Sequence, residues 1–512
     1  MALAAGLAMA AGGLVGCGAG SAQGPAGVGA ISGRYILSVS DADMAGVAGG
    51  AAEVGAGVGA GVGVGVGGAS AAALRDTLSV LSLPIATRPG DAGQWRTDYA
   101  QAEVGSSVLG ASSVVAVSDD GRTAVVAETF GGAGSVGPGL AAVGSGAAWE
   151  SAALPESRHV TIVDLSDPLR PTPTARVEVG PRPMSVDIRP GGGHAFVATQ
   201  EPGGELVLID LRSGGEPLAF PIPGLSVGAA EGAAASPAGP VGGVAWHPSG
   251  ESVAVCLPGL ALPQSAQGEA GAVAVVGAVD GPGAVALLEF TADGNSGGPG
   301  LAQWGAPVAV QGAFEARFAP DGKHLVVLCP GWTGSPAGDG SGEWGAGPAS
   351  GSPSGAVALV RVDDGGAHTP LSRLAVPAWP KGIALSPDGG LIAVVSLGDG
   401  GLADGRTTGG WLTLLRLEAA PGREGTHGLA EVARLSMPAV PAGVAFDTSG
   451  RHVVVSQFRS DDPEITDGEL VFFRIGPGAQ GGPGADADAA VLERLPFRVG
   501  VGVGPHGTVI VR

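Results

Sequence analysis

The stretch WPKGIALSPDGGLIAVVSLGDG, Trp379–Gly400, carries a phrase that returns at Val440–Phe458 as VPAGVAFDTSGRHVVVSQF. Each copy is a short apolar run, a turn and a longer apolar run. In SPDG the proline presets φ, the aspartate bonds back to the backbone and the glycine takes a positive φ, which together make a tight turn. The run after it, LIAVV, is apolar throughout and reads as a strand buried on both faces. The same pattern begins at Val115 (VAVSDDGRTAVVAET), Val186 (VDIRPGGGHAFVATQ), Val244 (VAWHPSGESVAVCLP) and Ala316 (ARFAPDGKHLVVLCP), besides Ile383 and Val444. Successive starts lie 58 to 72 residues apart. A period of this size, built from short strands, predicts a β-propeller.

Each unit has room for four strands. After the buried second strand comes a variable loop, then an alternating third strand such as ELVLIDL (Glu205–Leu211) or ELVFFRI (Glu469–Ile475). A fourth strand ends at proline or glycine, as in LSRLAVP (Leu371–Pro377). The chain ends supply one more unit in two pieces. GRYILSVSD from Gly33, DTLSVLSLP from Asp76 and WRTDYAQAEVG from Trp95 match second, third and fourth strands, and GPHGTVIVR (Gly504–Arg512) matches the missing first. The expected fold is therefore all-β, a seven-bladed β-propeller of four-stranded antiparallel blades. The N-terminal strands and the C-terminal strand share one blade, which pairs edges that would otherwise be exposed.

PKGIALSPDGGLIAVV and HVTIVDLSDPLRP (His159–Pro171) resemble the YVTN-type repeats of lactonase-like seven-bladed propellers, over about Ser32 to Arg512. That resemblance implies the fold. It leaves the activity open between a lactone hydrolase and a binding module, because that family mixes lactonases with proteins of no known reaction.

Composition narrows the classes. The chain has 512 residues with 96 glycines and 40 prolines, which disfavours long helices, while 45% hydrophobic residues support a large core. The formal charge is −21, and Lys323 and Lys381 are the only lysines. Binding to a phosphate backbone needs clustered cations, so nucleic acid is not an expected partner. Cys17, Cys256 and Cys329 show no metal or haem spacing, and Cys256 and Cys329 are expected as buried free thiols on neighbouring repeats.

The N-terminus MALAAGLAMAAGGLVGCGAG is too short an apolar run to span a bilayer and suits a signal peptide. Leu14-Val15-Gly16-Cys17 resembles the lipobox of bacterial lipoproteins, in which the cysteine is lipidated, although no Lys or Arg precedes the run. Gly18 after it implies outer-membrane sorting. The expected organisation is a signal at 1–17, a linker at 18–31 and a propeller at 32–512, with low-complexity insertions at 45–75 and 331–355. The expected protein is a monomer, lipid-anchored in the cell envelope and periplasmic or outer-membrane associated. Its partner would be an envelope protein or a small carbohydrate-like ligand.

Aligning the repeats places two rings of residues at one end of the channel. Ser113, Met184, Gly242, Phe314, Lys381, Ala442 and His506 enter the first strands. Ser40, Glu128, Thr199, Leu257, Cys329, Ser396 and Gln457 leave the second strands. Glu128, Lys381 and His506 are the only members able to move protons near neutral pH, and are the candidate catalytic residues. In a lactonase, Glu128 or His506 would activate water, and Lys381 would stabilise the oxyanion or hold an acidic substrate. Ser40, Ser113, Thr199, Phe314, Ser396 and Gln457 are the candidate binding rim.

Other patterns carry less chemistry. No cofactor or metal is expected from ligand spacing. His194, His324 and His452 share one repeat position and so lie apart. RSDDPEITDG (Arg459–Gly468) offers Asp461, Asp462, Glu464 and Asp467 as oxygen donors to Ca2+, without EF-hand spacing. Gly63-x-Gly65-x-x-Gly68 lacks the strand and helix of a dinucleotide site, and Gly294-Asn295-Ser296-Gly297-Gly298 lacks a nucleophile elbow. The penultimate third-strand position runs Ser82, Asp164, Asp210, Glu289, Arg361, Arg416, Arg474, which predicts an ion pair where the signs meet, Glu289 with Arg361.

Overall fold

The structure is a computed structural model, and it describes residues 30–41, 76–85, 98–106, 112–130, 156–223, 241–258, 283–292, 298–330, 355–398, 409–419, 427–458, 468–476, 492–502 and 504–512. Residues 31–512 form one compact unit. Among the described residues there are 29 strands and no helix. They build seven antiparallel sheets, each ordered first to fourth strand as the repeat implies. Blades 2 to 7 start at the first strands Val115–Val117, Ser185–Ile188, Val244–Trp246, Glu315–Phe318, Pro380–Leu385 and Pro441–Phe446. First strands of successive blades touch all the way round, so the ring closes on seven.

Blade 1 joins both chain ends. Its first strand is Pro505–Val511, followed by Tyr35–Ser40, Thr77–Ser82 and Tyr99–Glu103. Tyr35 pairs with Val511 on one side and Ser82 on the other, so the closing strand lies in register with the N-terminal ones. In blade 4 the outer edge is split: Gly300–Gln303 and Val308–Ala309 both pair with Ala284–Thr291.

Second strands such as Tyr35–Ser40, Ser252–Leu257, His324–Cys329, Leu391–Ser396 and His452–Gln457 are buried at every position. Their alternate side chains fill the two flanking interfaces. Val253, Val255 and Leu257 face blade 3, whereas Ala254 and Cys256 pack with Leu325, Val327 and Cys329 of blade 5. The outer strand Thr172–Glu178, by contrast, is almost wholly exposed. The turn after each first strand carries a positive-φ glycine in blades 2 to 7: Gly121, Gly192, Gly250, Gly322, Gly389 and Gly450. This is the conformation that glycine adopts without a Cβ clash.

Cys256 and Cys329 are free and buried, in one cluster between blades 4 and 5. The Glu289–Arg361 ion pair does not form among the described residues. Glu289 pairs along the backbone with Ser252 and Arg361 with His324, each inside its own blade. The neighbouring arginines find partners locally: Arg416 with Glu418 at 3.5 Å, and Arg474 with Glu493 on the adjacent fourth strand. Asp164 and Asp210 instead accept hydrogen bonds from their own turns, from Ser166 and from Arg212 and Ser213. Cys17, the insertion at 45–75, almost all of that at 331–355, the acidic loop donors and the Gly63–Gly68 pattern lie outside the described residues.

Candidate functional site

The channel mouth is built by the residues that lead into the first strands. In four blades that lead is X-Pro followed by the mouth residue: Arg182-Pro183-Met184, Trp379-Pro380-Lys381, Val440-Pro441-Ala442 and Gly504-Pro505-His506. In three of them, but not at Val440, the residue before the proline has a positive φ, of 48° at Arg182, 54° at Trp379 and 66° at Gly504. Arg and Trp rarely occupy this region, at a cost of roughly 1–3 kcal/mol, so packing must hold the bend. The bend sets Lys381 and His506 at equivalent places on blades 6 and 1.

His506 is 1% exposed, and both ring nitrogens have partners. Nδ1 lies 3.1 Å from the Gly504 carbonyl, which can only accept, so Nδ1 carries the proton. Nε2 then accepts from the Ser106 hydroxyl at 2.9 Å. The Ser106 amide donates to the Asp76 carboxylate at 3.0 Å. Burial, with a smaller push from the Lys381 charge, lowers the His506 pKa to about 3, so the ring is neutral at neutral pH.

Lys381 lies between charges of both signs. It is half-buried, and burial lowers its pKa to about 8 against the opposing pull of the Glu315 and Asp41 carboxylates. Asp41 follows the second strand of blade 1, and its amide donates to Gly504 O at 3.1 Å. Glu315 is fully buried on the first strand of blade 5. It accepts from the Ser112 amide at 3.1 Å and the Ser112 hydroxyl at 2.8 Å, and pairs with Arg317 at 2.9 Å. Burial raises its pKa, with Arg317 and Ser112 pulling the other way. Ser112 leads into blade 2, three blades away from blade 5 in a ring of seven, so its bond to Glu315 crosses the channel.

Glycine makes that crossing possible. One residue past the mouth, the blades carry Val114, Ser185, Gly243, Glu315, Gly382, Gly443 and Gly507. A Cβ on Gly382 would stand 3.0 Å from the Ala442 carbonyl and 3.4 Å from the Ser112 Cβ. A Cβ on Gly443 would stand 2.5 Å from the His506 carbonyl. Two residues deeper, Asp187 of blade 3 accepts from the Trp246 and Ile188 amides at 2.7 and 2.9 Å. Burial pushes its pKa up to about 6, with Arg317 opposing.

Of the three candidate catalytic residues, the fold brings Lys381 and His506 together. Glu128 is packed against Gly105, beside Ser106, but its Oε2 is bound by Arg176 at 2.9 Å. The candidate rim is interior. Ser40, Ser113, Thr199, Phe314, Ser396 and Gln457 are all 8% exposed or less. Ser40 donates to Val501 O, Ser113 bonds Ser185, and Thr199 donates to Gly204 O, so these three secure strand ends rather than face solvent. Phe314 packs on Met184. Sequence reading missed Glu315, Arg317, Asp187 and Ser106. The signal for Glu315 was present, as the one charge in a column otherwise made of four glycines, a valine and a serine.

Among the described residues no group of three or more His, Cys, Asp or Glu side chains could hold a metal. His194, His324 and His452 stand at the starts of three different second strands, and His324 and His452 each bond an aspartate of the preceding turn, Asp321 and Asp447. Nor is any described helix long and apolar enough to cross a membrane.

No protein-family model matches the chain, and no curated protein matches it. Several solved structures align with most of the chain. A candidate 6-phosphogluconolactonase from Bacteroides uniformis is 10% identical, with a TM-score of 0.49, over 93% of this chain and 99% of that one. A functionally unknown protein from Desulfotomaculum acetoxidans is 14% identical, with a TM-score of 0.47, over 86% and 96%. A hypothetical selenium-binding protein from Sulfolobus tokodaii is 11% identical, with a TM-score of 0.47, over 95% and 94%.

Proposed function

We propose that this chain is a binding module of the cell envelope, anchored by a lipid on Cys17, whose propeller takes a small acidic, carbohydrate-like ligand at the channel mouth. The observation that carries the reading is the placement of Lys381. One of two lysines in a chain of net charge −21 stands half-buried at the mouth, with the Asp41 and Glu315 carboxylates near enough to act on its charge. An ammonium takes a carboxylate, and carboxylates accept from sugar hydroxyls. Calorimetric titration with D-gluconate tests it. Binding that is lost in Lys381→Ala is expected. No heat with the folded protein, or binding that survives the substitution unchanged, would sink it.

The Ser106–His506 bond favours a second reading, a lactone hydrolase. A hydroxyl donating to a neutral imidazole that is itself held by a carbonyl is the arrangement of a nucleophile with its base. Both groups are 2% exposed or less, and burial makes His506 a weak base. A panel of sugar lactones, 6-phosphogluconolactone included, separates the readings. The binding module predicts only the spontaneous rate. Hydrolysis abolished in Ser106→Ala and His506→Ala would make the chain an enzyme.

A further inference from the structure

We propose that the seam between blades 4 and 5 is an acid-released latch: His247 and His368, each held neutral by its hydrogen bonds, clamp Trp304 and keep the two blades closed until the rings are protonated. The latch is independent of the channel-mouth reading above, because the turns after the first and third strands lie at the opposite end of the blades. His247, in the first turn of blade 4, places Nε2 2.9 Å from the carbonyl of Gly322 in the first turn of blade 5. His368, at the turn between the third and fourth strands of blade 5, places Nε2 2.8 Å from the carbonyl of Trp304 on the outer edge of blade 4. A carbonyl only accepts, so both Nε2 atoms carry the proton. Each Nδ1 then accepts from a backbone amide, that of Ser249 at 3.1 Å and that of Asp363 at 3.2 Å. The Trp304 indole meets the His247 and His368 rings edge to face, at 6.0 Å and 4.7 Å between centroids, and Phe318 closes on His247 at 5.0 Å.

Both bonds across the seam are therefore made by neutral imidazoles whose two nitrogens are committed. A second proton on either ring sets its Nδ1–H against the amide it accepts from, and that amide loses its acceptor. Glycines bring the backbones close enough for the tie. A Cβ on Gly322 would stand 2.5 Å from His247 Nε2, and one on Gly305 would meet the Gly366 carbonyl. The charges on the elements packed here are of mixed sign. Blade 4 brings Glu251 and Glu289, and Arg189 of blade 3 reaches the Gly250 carbonyl. Blade 5 brings Arg317, Asp321 and Lys323 from its first strand and turn, and Arg361, Asp363 and Asp364 from its third. Asp321 is held by the His324 ring and the Lys323 amide, and Asp363 by the Gly365 amide. Burial lowers the His368 pKa against the pull of the Trp304 carbonyl and the Asp363 carboxylate. A lowered folded value gives stability that is fully present above the unfolded pKa of about 6.5 and is lost as pH falls below it.

The test is amide hydrogen exchange of the whole chain, read by mass spectrometry from pH 7.5 down to pH 4.5 and corrected for the intrinsic exchange rate at each pH. Peptides holding the Ser249 and Asp363 amides should lose protection reversibly by at least about tenfold, with a half-change below about pH 6.5. Peptides over the first turn of blade 2, Ser118–Thr123, which has no histidine, should keep theirs. His247→Gln combined with His368→Gln keeps a donor without a titrating ring and should abolish the pH dependence. Nitrogen-15 spectra of labelled histidine in the wild type need no substitution, and should show both rings as Nε2–H tautomers at pH 7.5. Seam protection unchanged down to pH 4.5, an equal loss in blade 2, a loss that survives in the double variant, or Nδ1–H tautomers at pH 7.5 overturns the latch.

Discussion

Asp447 shows how much one side chain can hold. It is fully buried in the first turn of blade 7 and accepts from the Ser32 amide and hydroxyl, the His452 amide and ring, the Ser449 hydroxyl and the Arg451 amide. Burial alone would raise its pKa, but these bonds outweigh it and leave the group below the ordinary carboxylate range. Asp447→Ala should cost about 3 kcal/mol in denaturant unfolding, because it orphans several buried donors. A depressed folded pKa gives stability that is fully present above the unfolded value. The wild type should therefore lose stability as pH falls below about 4, and Asp447→Asn should flatten that loss. The two thiols make the opposite point. Burial pushes Cys329 up to about 11 and Cys256 well above its ordinary value. Both should resist a thiol reagent at pH 8 in the folded protein and react fully once unfolded. Their burial was legible, since each falls on an apolar second strand. Glu128 was legible as a mouth residue, but its Arg176 partner was not, because outer strands vary too much for a repeat alignment to fix which side chain reaches inward.

At the scale of the element, strands and turns were readable because each sequence signal has a single physical meaning. An apolar run after a Pro-Asp-Gly turn has no alternative to a doubly buried strand, and the positive-φ glycines confirm the turns blade by blade. The leads into the first strands were not readable. Nothing in Trp379-Pro380-Lys381 announces a tryptophan with φ of 54°, since the bend depends on a tertiary contact, the Leu397 amide donating to the Trp379 carbonyl at 3.0 Å. Gly504 occupies the same bend before His506, and a Cβ there would stand 2.5 Å from the Asp41 carbonyl. Gly504→Ala should destabilise by more than about 1 kcal/mol, through both φ and contact. It should also weaken D-gluconate binding, because Gly504 O holds His506 and the Asp41 amide. Equal stability in thermal unfolding would refute this account of the bend. The Glu289–Arg361 pair failed at this scale: adjacent positions in a sequence alignment stand on separate blades, and a charge on a third strand meets its own fourth strand first.

The whole molecule is a ring whose two ends meet in one blade, and that closure also assembles the mouth. His506 lies on the last strand, Ser106 follows the first N-terminal blade, and Lys381 arrives from blade 6. Seven blades and the split closure were legible because the missing first strand could be counted. The site was only half legible, because Ser106 and Ser112 lie in non-repeating segments. Ring closure and mouth form one claim, and removing residues 504–512 tests both. The truncated chain should unfold at lower temperature and with less cooperativity, and should not bind D-gluconate. Adding a synthetic peptide of residues 504–512 should restore both properties. A truncated protein with unchanged thermal unfolding and unchanged binding would contradict the account.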